Sequence, residues 1–127
     1  MLDVLSRSLF IAIGAILGAG LRMEIIHQFK VWRYKTYFAT LLINTISTFL
    51  LSFFINYYQH NPSLFSSDHF SLFLNVGFLG SFSTFSTFIL DLFIINRKKG
   101  FLTSFYFCFF SILLAILFGI IGYKFVY

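Results

Sequence analysis

The chain has 127 residues, of which 59% are hydrophobic and 10% charged, with one proline, one cysteine and a formal net charge of +5. Soluble domains carry roughly 25% charged residues, so this composition excludes an ordinary soluble domain and leaves a membrane protein. A lone cysteine, Cys108, excludes an internal disulfide, and basic residues divided among short connections suit lipid headgroups rather than a nucleic-acid surface.

Four stretches, roughly 5–27, 38–58, 70–95 and 101–125, supply the about 20 mostly apolar residues that a helix needs to cross a bilayer. The connections are too short for a further domain, so residues 1–127 are expected to form one four-helix transmembrane domain. Runs such as Ile112 to Phe118 are apolar on all sides, unlike the alternating strands of a membrane β-barrel.

In the first span Arg7 precedes the apolar run Leu9 to Leu21, as in a signal peptide. Gly14, Gly18 and Arg22 read instead as packing and boundary residues, and three similar spans follow. Gly14 with Gly18, and Ala15 with Ala19, form small-xxx-small pairs that let helices approach closely, within the unit or between subunits. Arg22 and Glu24 lie near the end of the span, where Arg22 is either an interfacial anchor or a cation that draws anions into a vestibule.

The second span carries Leu41-Leu42-Ile43-Asn44-Thr45-Ile46-Ser47-Thr48. Serine and threonine can bond the carbonyl four residues back in their own helix. The amide of Asn44 cannot, so it either lines a solvated path or bridges two helices.

The third span is the most informative: Gly77-Phe78-Leu79-Gly80-Ser81-Phe82-Ser83-Thr84-Phe85-Ser86-Thr87-Phe88. Gly77, Gly80 and Ser81 weaken a helix that is tolerated at membrane depth only beside protein or a water-lined cavity. Phe82, Phe85 and Phe88 recur every three residues, which with about 3.6 residues per turn predicts a slowly rotating aromatic stripe. A small anion is held by N–H and O–H donors and by the electropositive edges of aromatic rings. Asn44, Ser86, Thr87, Phe85 and Phe88 supply that combination.

The acids Asp3, Glu24, Asp68 and Asp91 fall near span ends or in loops, which argues against a proton-coupled drug exporter with a central carboxylate. His27, His60 and His69 lie at or beyond span ends without metal-ligand spacing. Seven of the nine Lys/Arg border the first and third connections, with Arg7 and Lys124 at the other side. By the positive-inside rule both termini are expected to face away from the cytoplasm, with insertion in a single orientation.

These landmarks resemble the CrcB, or Fluc, family of fluoride channels, over nearly the whole chain. They are Gly14-x-x-x-Gly18-Ala19-x-x-Arg22, Thr40-Leu41-Leu42-Ile43-Asn44 and, most distinctively, the Gly77 to Phe88 stretch. The resemblance implies a bacterial inner-membrane channel, not an enzyme, that lets cytoplasmic fluoride leave passively. It implies an antiparallel dimer of four-helix subunits with two fluoride paths and a structural sodium ion at the crossing of broken third helices. Carried onto this chain, the sodium ligands are the carbonyls of Gly80 and Ser83, while Asn44, Phe85, Phe88, Ser86, Thr87 and Ser111 belong to the fluoride pathway. The chain departs from the family pattern at Ala39 (often glycine), Ser83 (often threonine), Thr48 (often small) and Phe107, where a tyrosine usually stands one turn before Ser111. A single fixed orientation further implies a homologous partner chain of reverse charge bias, with a homodimer as the alternative, and Phe107 near Ser111 raises a second alternative, a non-conducting subunit of a heterodimer.

Overall fold

At membrane depth each span must satisfy its own backbone N–H and C=O groups, and all regular structure in the residues described by the computed structural model, 1–60 and 68–126, is helical. Helix α1 spans Leu2–Val31, α2 Thr36–His60 and α6 Phe101–Lys124. Between α2 and α6 the third span is assembled from α3 (Asp68–Ser71), a π-helix (Leu72–Leu79), α4 (Gly80–Phe82) and α5 (Phe85–Lys99). The second connection, free of Lys and Arg in sequence, and the side chain of Asp68 lie outside the described residues. Among the described residues four helical segments are long and apolar enough to cross a membrane: Leu2–Val31, Thr36–His60, His69–Lys99 and Phe101–Lys124.

The first three spans overrun their apolar stretches, α1 to Val31 rather than residue 27. Its 30 residues rise about 45 Å at about 1.5 Å each, the thickness of a bilayer with its headgroup layers. The extra turn is supported by the amide of Gln28, which donates to Glu24 Oε1 at 2.7 Å, an i,i+4 pair. Arg22 is thus half-buried well inside the helix, not at its end.

Two helix pairs carry the packing. The first joins α1 to the π-helix and α4. Gly14 and Gly18 are buried there: a Cβ on Gly14 would collide with the Phe73 carbonyl, and one on Gly18 with the Phe78 carbonyl and Ser81 Oγ. Gly77 meets them from the other side, facing the Ile11 carbonyl and the Cα of Gly14. Close approach also brings a side-chain tie, since the half-buried Ser81 Oγ donates to the Ala15 carbonyl at 2.9 Å. The Gly14–Gly18 pair of α1 therefore packs within the chain.

The second pair is α2 with α6. Gly122 lies against the Phe49 carbonyl, where any side chain would clash, and the buried Asn56 amide donates to the Tyr123 carbonyl. Helix α5 packs mainly on α6, tied by Ser104 Oγ donating to the Leu92 carbonyl at 2.9 Å. The third span thus changes partner, from α1 before Ser83 to α6 after it. Gly100 alone joins α5 to α6, at φ 89°, a conformation that glycine adopts at no steric cost. Lys99 at the end of α5 meets Tyr37 at the start of α2, so the first and third connections lie at the same end of the bundle.

Candidate functional site: a broken third helix beside a mostly apolar cavity

The interruption falls at Ser83 (φ −73°, ψ 149°) and Thr84 (φ −150°, ψ 126°), both extended. Of the residues expected to weaken the helix, Gly77 lies in the π-helix and Gly80 and Ser81 in the short α4, so the extended residues follow directly after them. Gly77 is used for approach to α1, and Gly80 keeps helical angles (φ −65°, ψ −33°). Breaking a helix frees backbone groups, and at this depth they need partners. Asn44 of α2 provides them: the Thr84 N–H donates to Asn44 Oδ1 at 3.1 Å, and Asn44 Nδ2 faces the Thr84 carbonyl at 3.5 Å.

In a continuous helix the Thr84 N–H would donate to the Gly80 carbonyl, four residues back. Asn44 takes that donor, leaving the Gly80 oxygen without it. Ser83, in extended geometry before α5, turns its carbonyl out of the helical ladder, while its hydroxyl donates to the Leu79 carbonyl at 3.2 Å. Gly80 is exposed, and the nearest atom to a Cβ built on it is the Asn75 carbonyl at 3.7 Å.

A cavity of about 350 Å³ opens beside the break. Asn44, Phe85, Phe88 and Ser111 contribute to its wall, with Cys108 and otherwise aliphatic side chains. Phe88 is buried, Phe85 is 74% exposed, and their rings lie 6.2 Å apart. Ser111 is buried, its hydroxyl donating to the Phe107 carbonyl at 2.7 Å. Phe107 packs edge-on against Tyr37 at 5.3 Å.

Four of the six pathway candidates therefore come together. Ser86 and Thr87 are not brought into this cavity: Ser86 is exposed with its hydroxyl 3.1 Å from that of Thr84, and Thr87 is half-buried. The break also divides the expected aromatic stripe. Phe82 precedes it, buried and stacked on Phe78 at 5.8 Å, while Phe85 and Phe88 follow in α5.

Asp91 is the polar residue that reading by span position missed. It is 5% exposed rather than at an interface, its Oδ2 has no hydrogen-bond partner, and its hydrogen-bonding neighbour is Thr40, one turn before Asn44 on α2. The signal was present, because 91 continues the three-residue spacing 82, 85, 88. Among the described residues no group of three or more His, Cys, Asp or Glu could hold a metal ion, and His69 instead shares a hydrogen bond with Ser6 at 3.2 Å.

Fold and site together define a small four-span membrane protein whose third span is unwound beside a cavity with few, convergent polar groups. Residues 9–123 match the family described as CrcB-like protein, Camphor Resistance (CrcB), and the chain belongs to that family. A protein of Prochlorococcus marinus strain SARG, named fluoride-specific ion channel FluC 2, is 37% identical over 126 residues, 96% of this chain and 95% of its own. Another of the same name, from strain NATL2A, is 40% identical over 89 residues, covering 70% of this chain and 72% of its own. The fluoride-specific ion channel FluC of Ignicoccus hospitalis is 35% identical over 96 residues, 76% and 75% of the two chains.

Proposed function

We propose that this chain is a subunit of a fluoride-selective channel, through which fluoride leaves the cytoplasm down its gradient. The observation that carries the reading is the Asn44 clamp on Thr84, which holds the third span open where Phe85, Phe88 and Ser111 face one cavity. The names of the family members that the chain matches support fluoride as the ion.

An anion that enters an apolar cavity must exchange its water for other donors. The Asn44 Nδ2 bond at 3.5 Å is long, so that N–H remains free to donate to an anion. The Ser111 hydroxyl bonds its own helix carbonyl and rotates to donate elsewhere at little cost. The edges of Phe85 and Phe88 add partial positive charge. Among the halides fluoride accepts the strongest hydrogen bonds, so it gains the most from each of these donors.

The family also implies a structural sodium ion, and the donor set suits it: a hard cation takes oxygen ligands, and the Gly80 and Ser83 carbonyls are released from the helical ladder. Two carbonyls are too few for one ion, so an antiparallel partner supplying the same pair completes the set. The exposure of Gly80 and Phe85 accords with that interface. The Lys/Arg distribution supports a bacterial inner-membrane location with both termini outside the cytoplasm; a fixed orientation favours a homologous partner chain inserted the other way. Arg22 is the vestibule cation or anchor of this arrangement.

Gly80→Leu separates assembly from folding. Gly80 is exposed, and among the described residues beyond its own helical turn the nearest atom to the added Cβ is the Asn75 carbonyl at 3.7 Å, so the helical content of the purified variant is expected to equal that of the parent while sodium-dependent dimer formation is lost. A variant that dimerises normally would remove Gly80 from the interface.

Growth of a fluoride-sensitive bacterium expressing this chain, with and without its homologous partner, tests the function. Rescue is expected, and Phe88→Ala, which removes the buried ring of the cavity, is expected to abolish it with membrane expression unchanged. Absence of rescue under both conditions would leave the reading in which this chain is a non-conducting subunit, which Phe107 in place of a tyrosine favours.

A further inference from the structure

At the end of the bundle where α2 begins and α5 ends, Lys35, Lys98 and Lys99 surround a cavity of about 190 Å³ together with Tyr37, Ile94 and Ile95. The Lys35 and Lys99 ammonium groups stand 5.8 and 5.9 Å from the centre of the same Tyr37 ring. Lys35 thus has both the Tyr37 phenol and Lys99 beside it. Like charges so close repel, and no carboxylate among the described residues pairs with any of the three lysines. The chain has four acids; Asp91, a turn inside, is buried, and Glu24 is tied to Gln28 on α1. Arg97 turns away, over Phe93 at 5.8 Å.

The cavity has room for a phosphate with its three-carbon stem and lies where two spans meet the headgroup layer. Its wall is not wholly polar: Ile94 lines it, and Phe38, whose ring is 4.7 Å from that of Tyr37, is 50% exposed beside it.

We infer that Lys35, Lys98, Lys99 and the Tyr37 hydroxyl form a binding site for a phosphate-bearing anion, filled by the headgroup of an anionic phospholipid whose acyl chains run down the exposed Ile94 and Phe38. The phosphodiester accepts from the ammonium groups and the phenol, and its charge removes the repulsion between Lys35 and Lys99. Free phosphate shares the headgroup chemistry but makes no use of the apolar wall. The site stands apart from the ion path and does not depend on the channel reading.

Native mass spectrometry of the full chain in detergent, titrated with phosphatidylglycerol, phosphatidylcholine or inorganic phosphate, tests this. Each lysine near an anionic surface is worth about fivefold in affinity, so Lys35→Gln with Lys99→Gln is expected to cut phosphatidylglycerol binding about 25-fold and leave phosphatidylcholine binding unchanged. A control double variant, Lys30→Gln with Arg33→Asn, removes the same charge from the same end outside the cavity; asparagine suits the positive φ of 57° at position 33. That control is expected to retain binding within about threefold, a change of about 0.65 kcal/mol. Equal loss in both double variants, undiminished lipid binding in the first, or displacement of the lipid by equimolar inorganic phosphate would each overturn the proposal.

Discussion

Alanine at Asn44 is expected to lower fluoride efflux about a hundredfold. The side chain accepts from the Thr84 N–H at 3.1 Å and faces its carbonyl at 3.5 Å, so its removal leaves two backbone groups unpaired beside an apolar cavity. An unpaired buried group costs about 1–3 kcal/mol, and about 3 kcal/mol for the site is about a hundredfold in the population of the open, broken geometry. Asn44→Asp separates the two roles of the amide. A carboxylate still accepts from Thr84, so the break and the assembly are retained, but it donates nothing and sets a negative charge in the anion path, so flux is expected to fall at least as far. Efflux from liposomes measured with a fluoride-selective electrode, alongside sodium-dependent dimer formation, reads both effects. An Asn44→Asp protein that conducts like the parent would mean that the path lies elsewhere.

The second large effect is on the fold. Gly14→Ala places a methyl group into the Phe73 carbonyl and the Phe78 backbone nitrogen; both are main-chain atoms, which do not move aside as a flexible side chain would. Overpacking of this kind costs about 1–3 kcal/mol and occasionally more, and here it parts α1 from the π-helix and withdraws the Ser81 hydroxyl from the Ala15 carbonyl. Gly20, in the same helix, has nothing within 4 Å of its added Cβ, so Gly20→Ala is expected to be neutral or to stabilise by up to about 1 kcal/mol through helix propensity. Thermal aggregation midpoints of the two detergent-purified variants should move in opposite directions or differ by several degrees. Equal midpoints would show that α1 does not bear on the third span as described.

Much of this architecture is legible in the amino-acid order because membrane helices answer to a one-dimensional rule. A run of about 20 apolar residues suffices, and all four spans follow from it. Their ends are less legible, since the headgroup layer tolerates polar residues within a continuing helix, as Glu24 and Gln28 show. That the third span breaks is signalled by its glycines and hydroxyls, but where it breaks is not. Gly77 answers to α1, and the residues that do unwind, Ser83 and Thr84, are held by an amide forty positions earlier, a tertiary partner that local propensity does not encode. The π-helix ahead of the break has no such local signal.

The cavity wall was half legible for the same reason. Asn44 and Ser111 are conspicuous as polar residues in apolar runs, and Phe85 with Phe88 by spacing. Cys108 joins them at three positions before Ser111, a helical repeat that the sequence contains. Ser86 and Thr87 share composition with the site but do not line this cavity, because they follow Phe85 by one and two positions in α5, about 100° and 200° round the helix from the face that Phe85, Phe88 and Ile89 share. Asp91 was hidden by the assumption that a charge near a basic span end reaches solvent; packing of α5 on α2 and α6 buries it instead.

The most direct measurement is fluoride release from liposomes that hold the purified chain, together with its homologous partner if one is required for assembly, followed by an ion-selective electrode with chloride release recorded in parallel. Rapid fluoride release with chloride retained, no dependence on a proton gradient, and loss of the signal in Phe88→Ala are the expected results. Release of both halides alike, or coupling to protons, would contradict a dehydrating path between α2, α5 and α6.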